Sequence, residues 1–188
     1  MNFFKTMLSA TFALLATTAC SQNKTEKQME NEKTLVVYFS ATGTTKQAAE
    51  KLAKATNADL CEIVPEQTYT SADLNWNNRQ SRSTIEMKDE KSRPSIKTDK
   101  IDVSQYNHIF LGYPIWWDLA PRVVNSFIEK HHLKGKTIIT FATSGGSSIT
   151  NSTKQLKKSY PEINWQEGML LNGMSENEIE RWIESLSE

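Results

Sequence analysis

Residues Ser40-Ala41-Thr42-Gly43-Thr44-Thr45 put four hydroxyl side chains and one glycine into six consecutive positions. The stretch follows the apolar, β-branched run Thr34–Phe39, and a helical pattern begins at once behind it, through Lys46-Gln-Ala-Ala-Glu-Lys-Leu-Ala-Lys54. Where a strand hands over to a helix, the first-turn N–H groups have no partner inside the helix, and the helix dipole adds partial positive charge beside them. The hydroxyls of Ser40, Thr42, Thr44 and Thr45 supply further short-range donors, while Gly43 permits positive φ and a close backbone approach. The chemistry such a junction suits is the holding of a phosphate group. It carries no Gly-Lys-Ser/Thr, so it is not a Walker loop, and it lacks the three glycines of a dinucleotide fingerprint. The same residues also make an ordinary β–α turn with hydroxyl caps, and this stretch alone leaves both open.

Two more stretches of this kind follow apolar runs. Tyr113-Pro114-Ile115-Trp116-Trp117-Asp118 comes after His108–Gly112, and Ser144-Gly145-Gly146-Ser147-Ser148 comes after Thr137–Thr143. The first offers broad aromatic faces and the second exposed N–H groups on two glycines. Trp116 and Trp117 either pack in the core or flank a ligand. Adjacent residues cannot easily both face one core, so at least one of the two is expected to be exposed or on a ligand. A phosphate joined to a flat heteroaromatic ring would use all three stretches.

The elements that must position these loops alternate along the chain. Thr34–Phe39, Asp59–Val64, His108–Gly112, Thr137–Thr143 and Trp165–Leu171 read as strands; Thr44–Thr56, Ala120–His131, Ile149–Ser159 and Glu176–Leu186 read as helices. In the last helix Ser175 and Glu178 form a capping-box pair, and Ile179, Trp182, Ile183 and Leu186 repeat at helical spacing. Pro121 stands at a helix start, where its missing N–H costs little, and Val123, Val124, Phe127 and Ile128 supply that helix's apolar stripe. Runs such as Leu35-Val-Val and Ile138-Ile-Thr-Phe141 predict burial on both faces, hence a parallel sheet between helices. In such a sheet ligands sit beyond the carboxyl ends of the strands, where the three loops fall. The irregular segment 65–107 is the exception. Ala72–Gln80 is expected to form a short helix capped by Ser71, and Glu86–Lys100 a solvated loop. A connection this long is either a lid or recognition surface or plain surface decoration.

Residues 1–19 have the layout of an export signal: Lys5, a short apolar stretch Met7–Ala16, then small residues before Cys20. Small residues before a cysteine resemble the bacterial lipobox, which implies cleavage before Cys20, acylation of its thiol and anchoring of an exported lipoprotein to a membrane. Thr17 stands where that motif usually has Leu. Residues 20–33 are polar, mixed in charge and free of aromatics, which reads as a flexible tether. Cys20 and Cys61 are the chain's two cysteines, so a lipidated Cys20 leaves none to pair with Cys61, expected as a small buried side chain in a strand. The chain has 22 basic and 22 acidic residues; without residues 1–19 the basic count falls by Lys5 to 21, for a net of −1. Nothing in that balance makes a nucleic-acid footprint. Ser144 and Ser147 lack a nucleophile-elbow pattern, the three histidines offer no triad, and no metal site is expected, His131-His132 being read as cations at a helix end.

The three loops together resemble those of the flavodoxin family. Ser-Ala-Thr-Gly-Thr-Thr is similar to its phosphate loop, Gly112-Tyr-Pro-Ile-Trp-Trp117 to its first ring loop, and Thr143-Ser-Gly-Gly-Ser147 to its second. The resemblance covers residues 34–188 and implies a flavodoxin-like, three-layer doubly wound α/β sandwich with a five-stranded parallel sheet in the order 2-1-3-4-5. It is the short-chain type, since Asn164–Leu171 leaves no room for an insertion in the last strand. It further implies FMN as cofactor. Ser40, Ala41, Thr42, Gly43, Thr44 and Thr45 would hold its phosphate, Pro114, Ile115, Trp116 and Trp117 would flank its ring, and Ser144, Gly145 and Gly146 would bond its polar edge. The implied role is electron transfer with a redox partner protein. The alternatives are an NAD(P)H-dependent FMN oxidoreductase of the quinone-reductase type, with Tyr69 and Trp76 walling a substrate site, and a non-catalytic flavin-binding module. One-electron carriers of this family often have glycine in the first ring loop. Trp117-Asp118 stands there instead and is expected to resist positive φ, which favours the two-electron reading.

Overall fold

The computed structural model describes residues 33–97 and 101–186. The signal, lipidation and tether readings on residues 1–32 lie outside them. Strands β1 (Thr34–Tyr38), β2 (Asp59–Glu62), β3 (His108–Pro114), β4 (Thr137–Thr143) and β5 (Asn164–Leu170) form one sheet in the order β2-β1-β3-β4-β5. All four pairings are parallel, with Val36 beside Phe110 and Phe110 beside Ile139 across the centre. Helices α1 (Thr44–Thr56), α2 (Arg82–Lys88), α3 (Arg122–His131), α4 (Thr150–Ser159) and α5 (Glu176–Ser185) connect or follow them.

Alternate residues of each strand feed two separate cores. Leu35, Val37, Ile109, Leu111, Tyr113 and Ile138 pack with Val123, Phe127 and Ile128 of α3 and Leu156 of α4. Val36, Tyr38, Phe110, Ile139 and Phe141 pack with Ala48, Ala49 and Leu52 of α1 and with Ile179 and Trp182 of α5. The three layers follow directly: a strand apolar at every position needs a helix on each side. At the middle of the sheet Gly112 is required, because a Cβ there would collide with the Phe141 ring of β4.

The segment after β2 departs from expectation. Ala72–Gln80 forms turns, and the helix begins only at Arg82, with Ser81 as its cap. Local side-chain bonds explain the shift. Asp73 accepts from the N–H and hydroxyl of Thr70, Asn75 from the N–H of Asn77, and Asn78 from the N–H of Gln80. Each offers the backbone a turn in place of a helical bond. The stretch from Glu86 is a solvated loop only in part, exposed over most of residues 88–95. Its first three residues, Glu86–Lys88, close α2, Met87 and Ile96 are buried, and Ser95–Lys97 pairs beside Val64–Glu66 through Glu66 N–H to Ser95 O (2.9 Å) and Lys97 N–H to Val64 O (2.7 Å). Cys61 is only half-buried, because β2 is an edge strand; desolvation, then the Glu62 charge, push its thiol up to about 11.

Candidate functional site

Three strand-to-helix loops converge at the carboxyl end of the sheet. In the first, Gly43 stands at the N-cap of α1 with φ 90°, which a glycine adopts without strain. No side chain caps α1 and no acidic residue occupies its first turn, so its leading N–H groups remain available. The Ser40 hydroxyl accepts from Gly43 N–H at 3.1 Å, which leaves its own proton free to donate outward. Thr42 and Thr44 are exposed. Thr45 differs: it is 1 % exposed, and its hydroxyl is bonded to that of Thr143 at 2.7 Å. What Thr45 offers to a ligand is its backbone, not its side chain.

The second loop is a two-residue hairpin turn. Trp116 and Leu119 exchange both backbone bonds at 2.9 Å, and Ile115 N–H is tied to Thr143 O at 2.9 Å. Trp117 and Asp118 occupy the turn at φ 47° and 63°. Sequence reasoning expected these residues to resist positive φ; in the structure both adopt it, held by the flanking pair. The geometry is that of a primed turn, which needs positive φ at both central positions. Each non-glycine residue there costs about 1–2 kcal/mol. The inference drawn from resistance to positive φ therefore loses its basis.

In the third loop Asn172, at the end of β5, clamps Ser144. Ser144 N–H donates to the Asn172 side-chain oxygen and the Asn172 amide donates to Ser144 O, both at 2.8 Å. Gly146 N–H is taken up by the Ser144 hydroxyl at 3.1 Å. Gly145 and Gly146 are exposed. Sequence reasoning missed Asn172, since nothing near it in the chain marks it as a partner of residue 144.

Between the first two loops and the segment after β2 lies a cavity of about 410 Å³, within the range of small-molecule sites. Ala41 and Thr42 line it from the first loop, and Pro114, Ile115, Trp116 and Trp117 from the second. Ser40, Gly43, Thr44, Thr45, Ser144, Gly145 and Gly146 stand in the same loops but outside its lining. Its remaining wall is Leu74, Trp76 and Ser83, from the irregular segment. None of these nine side chains is charged. Trp76 is 72 % exposed and Trp117 42 %, so two indoles stand at the mouth, while Trp116 is half-buried. Tyr69, expected beside Trp76 as a wall, is instead buried behind Trp116.

A flavodoxin family model matches residues 33–186. The chain belongs to the flavodoxin family. Solved structures agree with that membership. A candidate flavoprotein from Bacteroides eggerthii is 59% identical, with a TM-score of 0.81 over 84% of this chain and 99% of that one. Another from Bacteroides uniformis is 51% identical, with a TM-score of 0.79 over 81% and 98%. A Lactobacillus acidophilus flavoprotein, crystallised in complex with FMN, shares the fold at 23% identity and a TM-score of 0.64, over 81% of this chain and 99% of that one. No curated protein matches the chain. Within this flavodoxin-family domain the segment from Tyr69 to Met87 is a fixed wall. Ser83 donates to Asp73 O at 2.6 Å, and the buried Arg122 of α3 donates to Met87 O at 3.0 Å and Glu86 O at 3.4 Å. Burial holds that guanidinium below its ordinary value, yet the carbonyls at the end of α2 give its protons partners.

Proposed function

We propose that this domain binds FMN non-covalently and transfers electrons through it. One observation carries the reading: an uncapped helix start, an uncharged slot flanked by indoles and a Gly-Gly loop meet at one end of the sheet. The residues fit the group. The dianionic phosphate would be held by Ser40, Ala41, Thr42, Gly43, Thr44 and Thr45, through unused N–H groups and the Ser40, Thr42 and Thr44 hydroxyls. Pro114, Ile115, Trp116 and Trp117 would flank the ring, where stacking on an indole adds about 0.5–1.5 kcal/mol beyond area burial. Ser144, Gly145 and Gly146 would meet its polar edge; Asn172 fixes the backbone that presents them. When bound, FMN supplies reversible electron transfer, and the protein supplies its position and surroundings. The FMN complex of the Lactobacillus acidophilus relative supports the same reading.

A second reading, an NAD(P)H-dependent FMN oxidoreductase, is favoured by the extra wall. Leu74, Trp76 and Ser83 enclose the slot and leave the exposed Trp76 indole at its mouth, where a second planar reactant could lie. Reconstitution with FMN tests the main proposal: the expected outcome is a yellow protein with a raised melting temperature, and a colourless protein with an unmoved melt rejects it. Anaerobic mixing of the loaded protein with NADPH or NADH then separates the two readings, since rapid bleaching marks the oxidoreductase and inertness the partner-dependent carrier.

The layout of residues 1–20, similar to an export signal with a lipobox, supports a further part of the proposal, that the chain is a lipoprotein anchored through Cys20 on a periplasmic face or the cell surface. Cys20→Ser is expected to move the protein from the membrane fraction to the soluble one; a distribution identical to wild type would reject the anchor.

A further inference from the structure

Three rings meet edge-to-face behind the cavity. Phe39 and Tyr69 have centroids 5.7 Å apart at 60°, Phe39 and Trp116 5.6 Å at 87°, and Tyr69 and Trp116 5.2 Å at 79°. Only Trp116 of the three lines the cavity, while Phe39 is 1 % exposed and Tyr69 7 %. Phe39 is fixed by the sheet, its N–H bonded to Gly112 O at 2.9 Å. Tyr69 has no strand or helix to fix it, and side chains do so instead. Its hydroxyl donates to one oxygen of Glu86. Arg82 donates to the other oxygen at 2.6 Å, anchors itself on Gln67 O at 2.6 Å, and lays its guanidinium 4.0 Å from the centre of the tyrosine ring. Burial, reinforced by Glu86, holds the phenol far above its ordinary value, so it remains a neutral donor across the working pH range.

These contacts converge on the ring that touches Trp116. An indole beside a hairpin turn loses side-chain freedom when a ligand orders it, and that loss weakens binding. An indole already packed against two mutually touching rings, each nearly perpendicular to it, has lost it beforehand. We propose that Tyr69 is a positioning residue: clamped by Glu86 and Arg82, it fixes the Trp116 indole in the orientation from which it meets the ligand's ring. The inference rests on the FMN reading for what the ring belongs to. The preordering itself is a property of the free protein. The segment around Tyr69 thus acts on the site from behind, through Trp116, while Leu74 and Trp76 of the same segment face the cavity directly.

The test uses the full chain with Tyr69→Leu, Tyr69→Phe, Trp116→Ala and the Tyr69→Leu/Trp116→Ala double variant, each titrated with FMN. Tyr69→Leu is expected to weaken FMN binding about fivefold in the wild-type background, in line with the loss of one aromatic pair. Tyr69→Phe, which keeps the ring and the Arg82 contact but loses the bond to Glu86, should fall between Tyr69→Leu and wild type. In the Trp116→Ala background Tyr69→Leu should change the affinity less than twofold, because nothing remains for it to position. Equal losses in both backgrounds, or no loss in either, would overturn the proposal. A second measurement needs no flavin: in the ligand-free protein Tyr69→Leu should diminish the indole band of the near-ultraviolet circular dichroism, and this change should vanish in a Trp116→Phe background. Should wild type fail to bind FMN, the functional reading falls while this second measurement still decides the role of Tyr69. An indole band that Tyr69→Leu leaves unchanged overturns it.

Discussion

The cavity has two kinds of wall. One is built from strand-to-helix loops whose shape is set by neighbours in sequence: Gly43 turning into α1, Ser40 accepting from Gly43 three residues on, Trp116 pairing with Leu119. The other, from Tyr69 to Met87, is held by side-chain bonds, with Arg122 on Met87 O from 35 positions away and Ser83 on Asp73 O 10 positions apart within the segment. The difference teaches where rigidity comes from. A loop at a sheet end inherits it from the strand and helix it joins. An insertion without such flanks must be tied down by side chains, one bond at a time.

Removing a tie should therefore loosen the second wall and leave the first intact. Arg122→Met replaces a buried guanidinium with an apolar chain of similar length and strands two carbonyls, for an expected loss of about 2–3 kcal/mol. Urea melts would measure it, and limited proteolysis should then cut between residues 69 and 97. A protein resistant there, with an unaltered melt, would erase the distinction between the walls. Next comes the link between the first and third loops. Thr45→Val leaves the buried Thr143 hydroxyl unpaired and should cost about 1–2 kcal/mol. FMN affinity should change less than threefold, because that hydroxyl faces Thr143 and not the ligand; a larger loss would return the Thr45 side chain to the phosphate.

Helix starts sharpen the contrast further. α5, which borders no part of the cavity, carries a full capping box from Ser175 and Glu178, whereas α1 at the site is left open. Ser175→Ala should destabilise by about 1 kcal/mol without touching ligand binding. The N–H and hydroxyl of Ser175 hold the Glu178 carboxyl below its ordinary value. A lowered carboxylate stabilises above its unfolded pKa and ceases to as pH falls through its folded one, so the deficit of the variant should shrink in acid. A deficit that does not vary with pH would mean the cap acts without the carboxylate. The smallest effect expected is at the primed turn. Asp118→Gly relieves positive φ and should stabilise by about 0.5 kcal/mol, partly offset by the freer unfolded chain. Thermal melts at matched pH would detect it, and a destabilised variant would show that Asp118 contributes more than its backbone.

Sequence reading fared as this division implies. The five strands, α1, α3, α4 and α5 were legible because each carries its own period and its own end signals; the strand order came only from the family resemblance, and the capping box at Ser175 was seen residue by residue. The three loops were legible as strand ends, and the expectation that one of Trp116 and Trp117 is exposed holds for Trp117. The region from Ala72 to Lys97 was not. Its helix sits ten residues later than expected, since Asp73, Asn75 and Asn78 bond their own backbone where an apolar pattern alone suggested helix. Arg122 went unmarked, because no local pattern reports a side chain that reaches 35 residues back. Positive φ at Trp117 was missed for the same reason: intrinsic preference was weighed without the two flanking bonds that override it.

The hydroxyl pair between Thr45 and Thr143 spans 98 positions of chain with a single short bond, and it is wholly enclosed. It makes the opening turn of one helix and the last residue of the neighbouring central strand into a single solid piece. The loops that spring from that joint start from a fixed base, while the two indoles at the mouth of the cavity face water.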